Sequence, residues 1–425
     1  MMRLYEAFKK SEGVSTDTRS IKPGQLFVAL SGPNFNANRF AKQALEKGAT
    51  AAVVDNAEFA AGEHYILVDD CLKALQGLAN HHRNQLDCTV IAICGSNGKT
   101  TSKELTSAVL NSHFNTFFTP GNFNNHIGVP LSLLMLTAEH EYAIIEMGAN
   151  HKGEHELLCQ ITEPDFGVIT NNGKDHLEGF GSIEGVIEAN KELYDYLLAN
   201  GKTAFVNSDD KTLMANSVEI SRILYGKDQS ALCRAELLAP FPFTRAALTF
   251  ENKTDIEINS QLFGSFQKDN IALAACIGYY FGVPVKKIKA ALESYKPANM
   301  RTQKLEWRNA EVLLDAYNAN PSSMMAVLND FAQYEHHKKA MILGDMLEMG
   351  DASFQEHKAI VDFVTANEFE WAVFIGEEFM QHEQNGLCFF SDRDKALEWL
   401  SEKDVSDCSI LIKGSRGLKL EKIVE

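Results

Sequence analysis

The sequence predicts an α/β fold in three domains, on three observations. At 425 residues the chain is longer than one hydrophobic core usually spans. Short apolar runs alternate with helical patterns from end to end, the order expected of parallel sheets covered by helices. One of those runs ends in a glycine-rich turn that opens a helix. The divisions fall near residues 1–85, 86–298 and 299–425: a small N-terminal α/β domain, a central parallel-sheet domain carrying a phosphate-binding loop, and a C-terminal Rossmann-like α/β domain.

In the first division, residues 26–30, 51–54 and 65–68 read as strands, and 38–47 and 72–83 as helices. Its polar spots are the STDTRS segment, with Ser15, Thr16, Asp17, Thr18 and Arg19, and the loop GPNFNANRF at 32–40. Such residues cap helices and form turns, the reading that local chemistry favours, and they can also hold a ribose or phosphates.

The central division opens on TVIAICGSNGKTTSKELTSAVL, residues 89–110. Residues 90–94 suit a buried parallel strand. Gly95 and Gly98 let the backbone turn tightly and approach an anion, with Ser96 and Asn97 between them. Lys99, Thr100 and Thr101 then start a helix, so backbone N–H groups, a helix N-terminus and an ammonium converge where negative charge is favoured. The loop is the short GxxGKT form, and it reads as an ATP site in which Lys99 meets the β- and γ-phosphates and Thr100 a magnesium ion. The loop TPGNFNNH at 119–126 brings Asn122, Asn124 and Asn125 before another helix, as turn residues or as a grip on a polar substrate. The strand 142–145 ends in Glu146, where ligands bind in open α/β sheets, which makes it a candidate metal ligand. The strand 166–170 ends in a loop containing His176, and Lys191 follows in a helical stretch, 183–198. Taken alone, each has an ordinary reading as a solvated or backbone-bonded side chain. Residues 203–206 and 246–250 supply further strands, and 264–281 a loop entering an Ala-rich helix with Asn270 in its first turn.

In the third division the strands read as 312–314, 340–343, 371–375, 387–390 and 409–412. Polar clusters follow three of them: Asp315 to Ser322, Gly344-Asp345 to Glu348, and Lys413 to Arg416. Together they form one face, expected to close over the nucleotide.

With 40 basic and 57 acidic residues the net charge is −17, which excludes non-specific affinity for nucleic acid or anionic membrane. Eight scattered cysteines, no CxxC pair and no signal peptide point to reduced thiols in a cytoplasmic protein. No apolar run approaches the ~18 residues of a membrane helix, so no membrane insertion is expected.

GSNGKTT at 95–101, NHIGVPLSLL at 125–134, EMGANHKGE at 146–154, HLEGFGS at 176–182, DAYNANPSS at 315–323 and LGDMLEMG at 343–350 together resemble the Mur ligase family of cell-wall amino-acid ligases, over nearly the whole chain. All but the first look like the member that adds D-alanyl-D-alanine to UDP-N-acetylmuramoyl-tripeptide. The resemblance implies ATP-driven amide formation through an acyl phosphate, in a protein expected to be a monomer. It implies that Lys99 serves the phosphates, that Thr100, Glu146 and His176 ligate magnesium, and that Lys191 is carbamylated and helps hold a second magnesium ion. This last role replaces the surface reading of Lys191. Asn270 would contact adenine, Arg301 and Asp315 the phosphate and ribose side, and Asn318, Asn320, Asp345 and Arg416 the dipeptide or the closed interface. Ser15 to Arg19 look like the uridine-nucleotide site. The chain departs from the family pattern at Phe266 and Gln267, where GxHNxxN is usual, and at Phe35 to Phe40, where FDGHxF is usual. The competing readings are a folylpolyglutamate synthase, which lacks a uridine-binding domain, a P-loop kinase or switch, and a non-catalytic nucleotide-binding module.

Overall fold

The computed structural model describes residues 1–425 other than His337. Four short parallel strands form the N-terminal sheet, in the order Val14–Ser15, Leu26–Val28, Ala51–Val54, Tyr65–Leu67. The helix expected over 38–47 is a 3-10 turn, Ala37–Phe40, running into a helix, Ala41–Glu46. The Asn36 side chain starts the turn by accepting from the Asn38 N–H. The helix Cys71–Arg83 is capped by Asp70 and leans on the central domain. There Arg83 meets Asp165 at 2.9 Å, and Asn80 donates to the Ile161 carbonyl at 3.1 Å. One apolar core therefore runs from the N-terminal sheet to one face of the central sheet.

That central sheet has nine strands, in the order Asp255–Asn259, Arg245–Phe250, Cys233–Ala239, Ser221–Gly226, Thr203–Asn207, Phe166–Ile169, Thr89–Cys94, Tyr142–Glu146, Thr116–Phe118. From Cys233–Ala239 to Thr116–Phe118 all neighbours are parallel, and the other two strands are antiparallel. Val90, Ala92 and Cys94 face the core shared with the N-terminal sheet, while Ile91 and Ile93 face the opposite one, the period-2 alternation of a strand buried on both sides. From Thr89–Cys94 the chain first winds outward to one edge, then crosses to the other side. The phosphate loop thus sits at the point where strand order reverses, the place where open α/β sheets bind ligands. Behind it the helices Lys99–Asn111 and Gln267–Tyr280 pack closely: a Cβ on Gly278 would stand 2.3 Å from Val109 Cγ1.

In the C-terminal sheet the strands Ala310–Asp315, Ser409–Lys413, Lys339–Gly344, Trp371–Ile375 and Cys388–Phe390 are parallel, with Gln303–Trp307 antiparallel at the edge. Separate apolar clusters cover its two faces. The strands absent from the sequence reading include Val14–Ser15, Ser31–Gly32, Phe35–Asn36, Thr116–Phe118, Ser221–Gly226, Cys233–Ala239, Asp255–Asn259 and Gln303–Trp307, which are short or carry charges such as Arg222, Glu236, Glu257 and Lys304 on partly exposed faces, so no long apolar run marks them. All eight cysteines are free, seven of them buried. Among the described residues no helix is long and apolar enough to cross a membrane.

Candidate active site

The strand ends of the central and C-terminal sheets enclose a cavity of about 950 Å³. Its floor is the phosphate loop. Gly95 and Gly98 take φ of +118° and +80°, and both are pressed from behind: a Cβ would lie 2.4 Å from Thr170 Oγ1 and 2.7 Å from Asn270 Oδ1, respectively. Only glycine meets both demands. The helix Lys99–Asn111 has no side-chain cap, so its first N–H groups are left for an anion. The Lys99 ammonium folds back onto the carbonyls of Gly95 and Ser96. Ser96 Oγ donates to Asp175 at 2.5 Å, and Asn97 exchanges hydrogen bonds with Asn171 at 3.0 Å, tying the loop to the segment that carries His176.

Glu146 is 2% exposed. Its Oε1 accepts from Asn124 Nδ2 at 3.0 Å and Thr100 Oγ1 at 3.2 Å, and its Oε2 lies 3.2 Å from Lys103 Nζ. Burial pushes the carboxyl toward its neutral form, but Lys103, Arg301 and Lys99 outweigh this and hold its pKa below the ordinary value. A carboxylate beside a hydroxyl at a phosphate loop suits magnesium, which takes one or two protein oxygens and completes its shell with phosphate and water. That chemistry needs no dense ligand cluster, and none of three or more His, Cys, Asp or Glu side chains occurs among the described residues.

Opposite the loop, Arg301 stacks on Tyr317, its guanidinium carbon 4.0 Å from the ring centre. Asp315 accepts from Lys413 Nζ at 2.6 Å and from the Thr302 N–H at 3.1 Å. Asn270 bridges the two central helices: its oxygen accepts from Ser102 at 2.9 Å, and its nitrogen donates to Gln267 at 2.8 Å. Phe266 and Gln267, where the family pattern is broken, also line the cavity. Asn320 caps the helix Pro321–Gln333, and its Nδ2 reaches Asn97 Oδ1 at 2.9 Å, joining the C-terminal domain to the phosphate loop. Ser322 Oγ accepts from the Lys174 N–H at 2.6 Å on the same seam.

The structure thus brings Ser96 to Thr101, Asn122, Asn124, Asn125, Glu146, His176, Asn270, Arg301, Asp315, Asn318 and Asn320 to one cavity. Asn125 also does turn work, accepting from the N–H groups of Ile127 and Gly128. Other candidates lie off its walls. Lys191 pairs with Asp195 one turn along its helix, although its neighbour Asn190 bonds to the cavity residue Asn172 at 2.9 Å. Asp345, expected at the dipeptide or the interface, is instead consumed by the fold: it is buried, and its oxygens accept from the N–H groups of Glu378 and Phe379 at 3.0 Å. Arg416 is exposed and pairs with Glu421 at 3.3 Å. Ser15 to Arg19 form a turn remote from these strand ends, in which the Arg19 guanidinium holds the Asp17 carboxyl down at about 2.

Sequence reasoning missed Lys103, which had a signal, standing four residues after Lys99 on one helix face. Lys413 and Tyr317 were read only as members of their strand-end clusters, and the structure sets Lys413 on Asp315 and Tyr317 under Arg301.

Family models match the chain in order: the Mur ligase family catalytic domain over residues 10–83, the Mur ligase middle domain over 93–278, and the Mur ligase glutamate ligase domain over 300–416. The UDP-N-acetylmuramoyl-tripeptide--D-alanyl-D-alanine ligase of Bacillus subtilis is 34% identical, over 97% of this chain and 92% of its own. The chain belongs to the Mur ligase family. The enzyme of the same name from Escherichia coli is also 34% identical to this Mur ligase, over 97% of this chain and 93% of its own. A crystal structure of MurF from Acinetobacter baumannii superposes with a TM-score of 0.87 at 28% identity, covering 99% of this chain and 97% of that one.

Proposed function

We propose that this Mur ligase joins D-alanyl-D-alanine to the terminal carboxylate of UDP-N-acetylmuramoyl-tripeptide, consuming ATP, as a cytoplasmic step of cell-wall synthesis. The observation that carries the reading is full-length similarity, 34% over 97% of the chain, to ligases of that name. The enclosed cavity at the seam of two sheets supports it.

The tripeptide carboxylate attacks the γ-phosphorus of ATP, ADP leaves, and an acyl phosphate forms. The dipeptide amine then attacks the acyl carbon, phosphate departs, and the amine loses its proton to give the amide. Lys99 and the bare helix N-terminus hold the triphosphate, Lys99 leaving its loop carbonyls to do so. Asn270 takes the adenine, and Arg301 and Asp315 the phosphate and ribose side. Thr100, Glu146 and His176 would hold a magnesium ion, which would supply charge neutralisation at the γ-phosphate. Lys191 enters as a carbamate, formed when its neutral amine adds carbon dioxide and loses a proton. The new negative charge would break the present pairing with Asp195 and suit the side chain to hold a second cation. Asn318 and Asn320 face the dipeptide side, and closure of the C-terminal domain keeps water from the acyl phosphate. Ser15 to Arg19 serve the uridine nucleotide.

The test is phosphate release from ATP in the presence of the nucleotide tripeptide, with and without D-alanyl-D-alanine, with mass analysis of the product. A dipeptide-dependent rise and a matching pentapeptide are expected. No response to either substrate sinks the reading.

A further inference from the structure

Among the contacts across the seam between the central and C-terminal domains, one joins a residue proposed to ligate the cation. His176 Nδ1 lies in contact with the carboxylate of Glu348, which comes from the C-terminal domain. The backbone joins at the same point, the Glu178 N–H donating to the Glu348 carbonyl at 3.2 Å. Both residues of the pair sit in the left-handed region, His176 at φ +46° and Glu348 at φ +62°, a conformation that non-glycine residues adopt at a cost and that clusters at functional sites. Gly350, at φ +51°, packs on the Glu178 backbone, where a Cβ would approach Cα to 3.2 Å. Glu348 gains nothing in burial from this placement, since its side chain remains 57% exposed.

We propose that Glu348 is a positioning residue for His176, delivered when the C-terminal domain closes. The proposal rests on the reading of His176 as a ligand of the cation at the phosphate site. A histidine that ligates a metal through one ring nitrogen usually gives its other N–H to a carboxylate or carbonyl, which fixes the tautomer and the ring's direction. Here the Glu348 carboxylate lies against Nδ1, which has no other partner among the described residues, and Nε2 is the nitrogen left for the cavity that His176 lines. The two halves of this pair belong to different domains. The cation site is therefore complete only in the closed arrangement, which couples metal affinity to closure over the nucleotide.

Manganese serves as the probe, followed by electron paramagnetic resonance on the full-length protein with ADP present. Glu348→Ala is expected to weaken manganese binding about tenfold, the scale of such supporting contacts, while ADP affinity without metal stays unchanged. Glu348→Gln, whose amide oxygen still accepts from Nδ1–H, restores most of the affinity. In the His176→Ala background, Glu348→Ala has no further effect. Unaltered manganese binding in Glu348→Ala, beside a clear loss in His176→Ala, overturns the proposal alone. An unaltered affinity in His176→Ala overturns the ligand reading and the proposal with it. A Glu348 effect that persists without His176 also overturns it, by showing the residue to be merely structural. None of these outcomes depends on which amino acids the enzyme joins.

Discussion

Two polar regions of this Mur ligase are rich in the same residue types and are built in opposite ways. At the central cavity the partners come from far apart in the chain: Thr100 with Glu146, Asn97 with Asn320, Asp315 with Lys413. In the segment from Ser15 to Arg19 several partners are two residues away, as when Asp17 holds Arg19 through its side chain and its N–H. The first region is fixed by the whole fold and dehydrated, so its charges are coupled and costly to disturb. The second is a half-buried turn with an exposed tip at Arg19, held by local bonds and by Lys47 on the Thr18 carbonyl.

The sharpest way to break this contrast is to remove a cation from the buried side. The side chains of Lys103 and Glu146 are 2% and 3% exposed. Lys103→Met leaves the Glu146 charge buried without its ion-pair partner and is expected to cost about 3 kcal/mol or more, read as a shift in the urea midpoint. Adding Glu146→Gln to Lys103→Met should recover most of that stability while turnover stays lost. If Lys103→Met alone unfolds at the wild-type midpoint, the cavity is wetter than its burial indicates and the contrast fails.

Acid sharpens the comparison next. Burial in the wall of the central domain lowers the His155 pKa from 6.5 to about 4. The folded pKa lies below the unfolded one, so this contribution is complete above about pH 6.5 and drains away as the pH falls toward 4. The loss should be on the order of 3 kcal/mol. The Asp17 pair, with its carboxyl near 2, adds nothing in that window. Stability measured between pH 7.5 and pH 4.5 should therefore fall, and His155→Phe should flatten the slope. A profile that His155→Phe leaves unchanged would remove the histidine from the account.

How much of this was legible beforehand follows the same division. The strand Thr89–Cys94, the glycine turn and the helix after it are local patterns, and the structure keeps them together. The turn reading of Asn125 and of Asp17 with Arg19 was likewise open to inspection, because those hydrogen bonds close within a few residues. The pairing of Lys103 with Glu146, or of His176 with Glu348, is set by strand order and domain packing, which no short window encodes. Asp345 shows the converse: its place after a strand suggested a ligand contact, while the N–H groups of Glu378 and Phe379, in the short helix Glu377–Met380 after the neighbouring strand, claim it. The charged strands at the far side of the central sheet stayed invisible because half of each faces water.

A smaller effect is expected where the two domains meet at Asn320. Its oxygen caps a helix through the Ser323 N–H at 2.8 Å, and its nitrogen links to Asn97. Asn320→Ser keeps a cap but cannot span the seam. Stability should change little, and kcat/KM should fall about tenfold, the worth of one hydrogen bond to a preorganised loop. A loss of stability with kinetics intact would mean that the cap alone matters there.

The smallest structural effect belongs to Arg19, and it tests the half-buried turn directly. Its guanidinium is almost wholly exposed and pairs with Asp17, so Arg19→Ala should leave the melting temperature where it is. If this turn meets the uridine nucleotide, the same substitution raises the KM for the nucleotide tripeptide several-fold and leaves the KM for ATP and kcat alone. That split separates a ligand role from a structural one, because a turn that merely folded poorly would alter both constants through the shared core. An unchanged KM for the tripeptide would show the segment to be turn chemistry and nothing more, and the uridine site would then have to be sought elsewhere on the N-terminal domain.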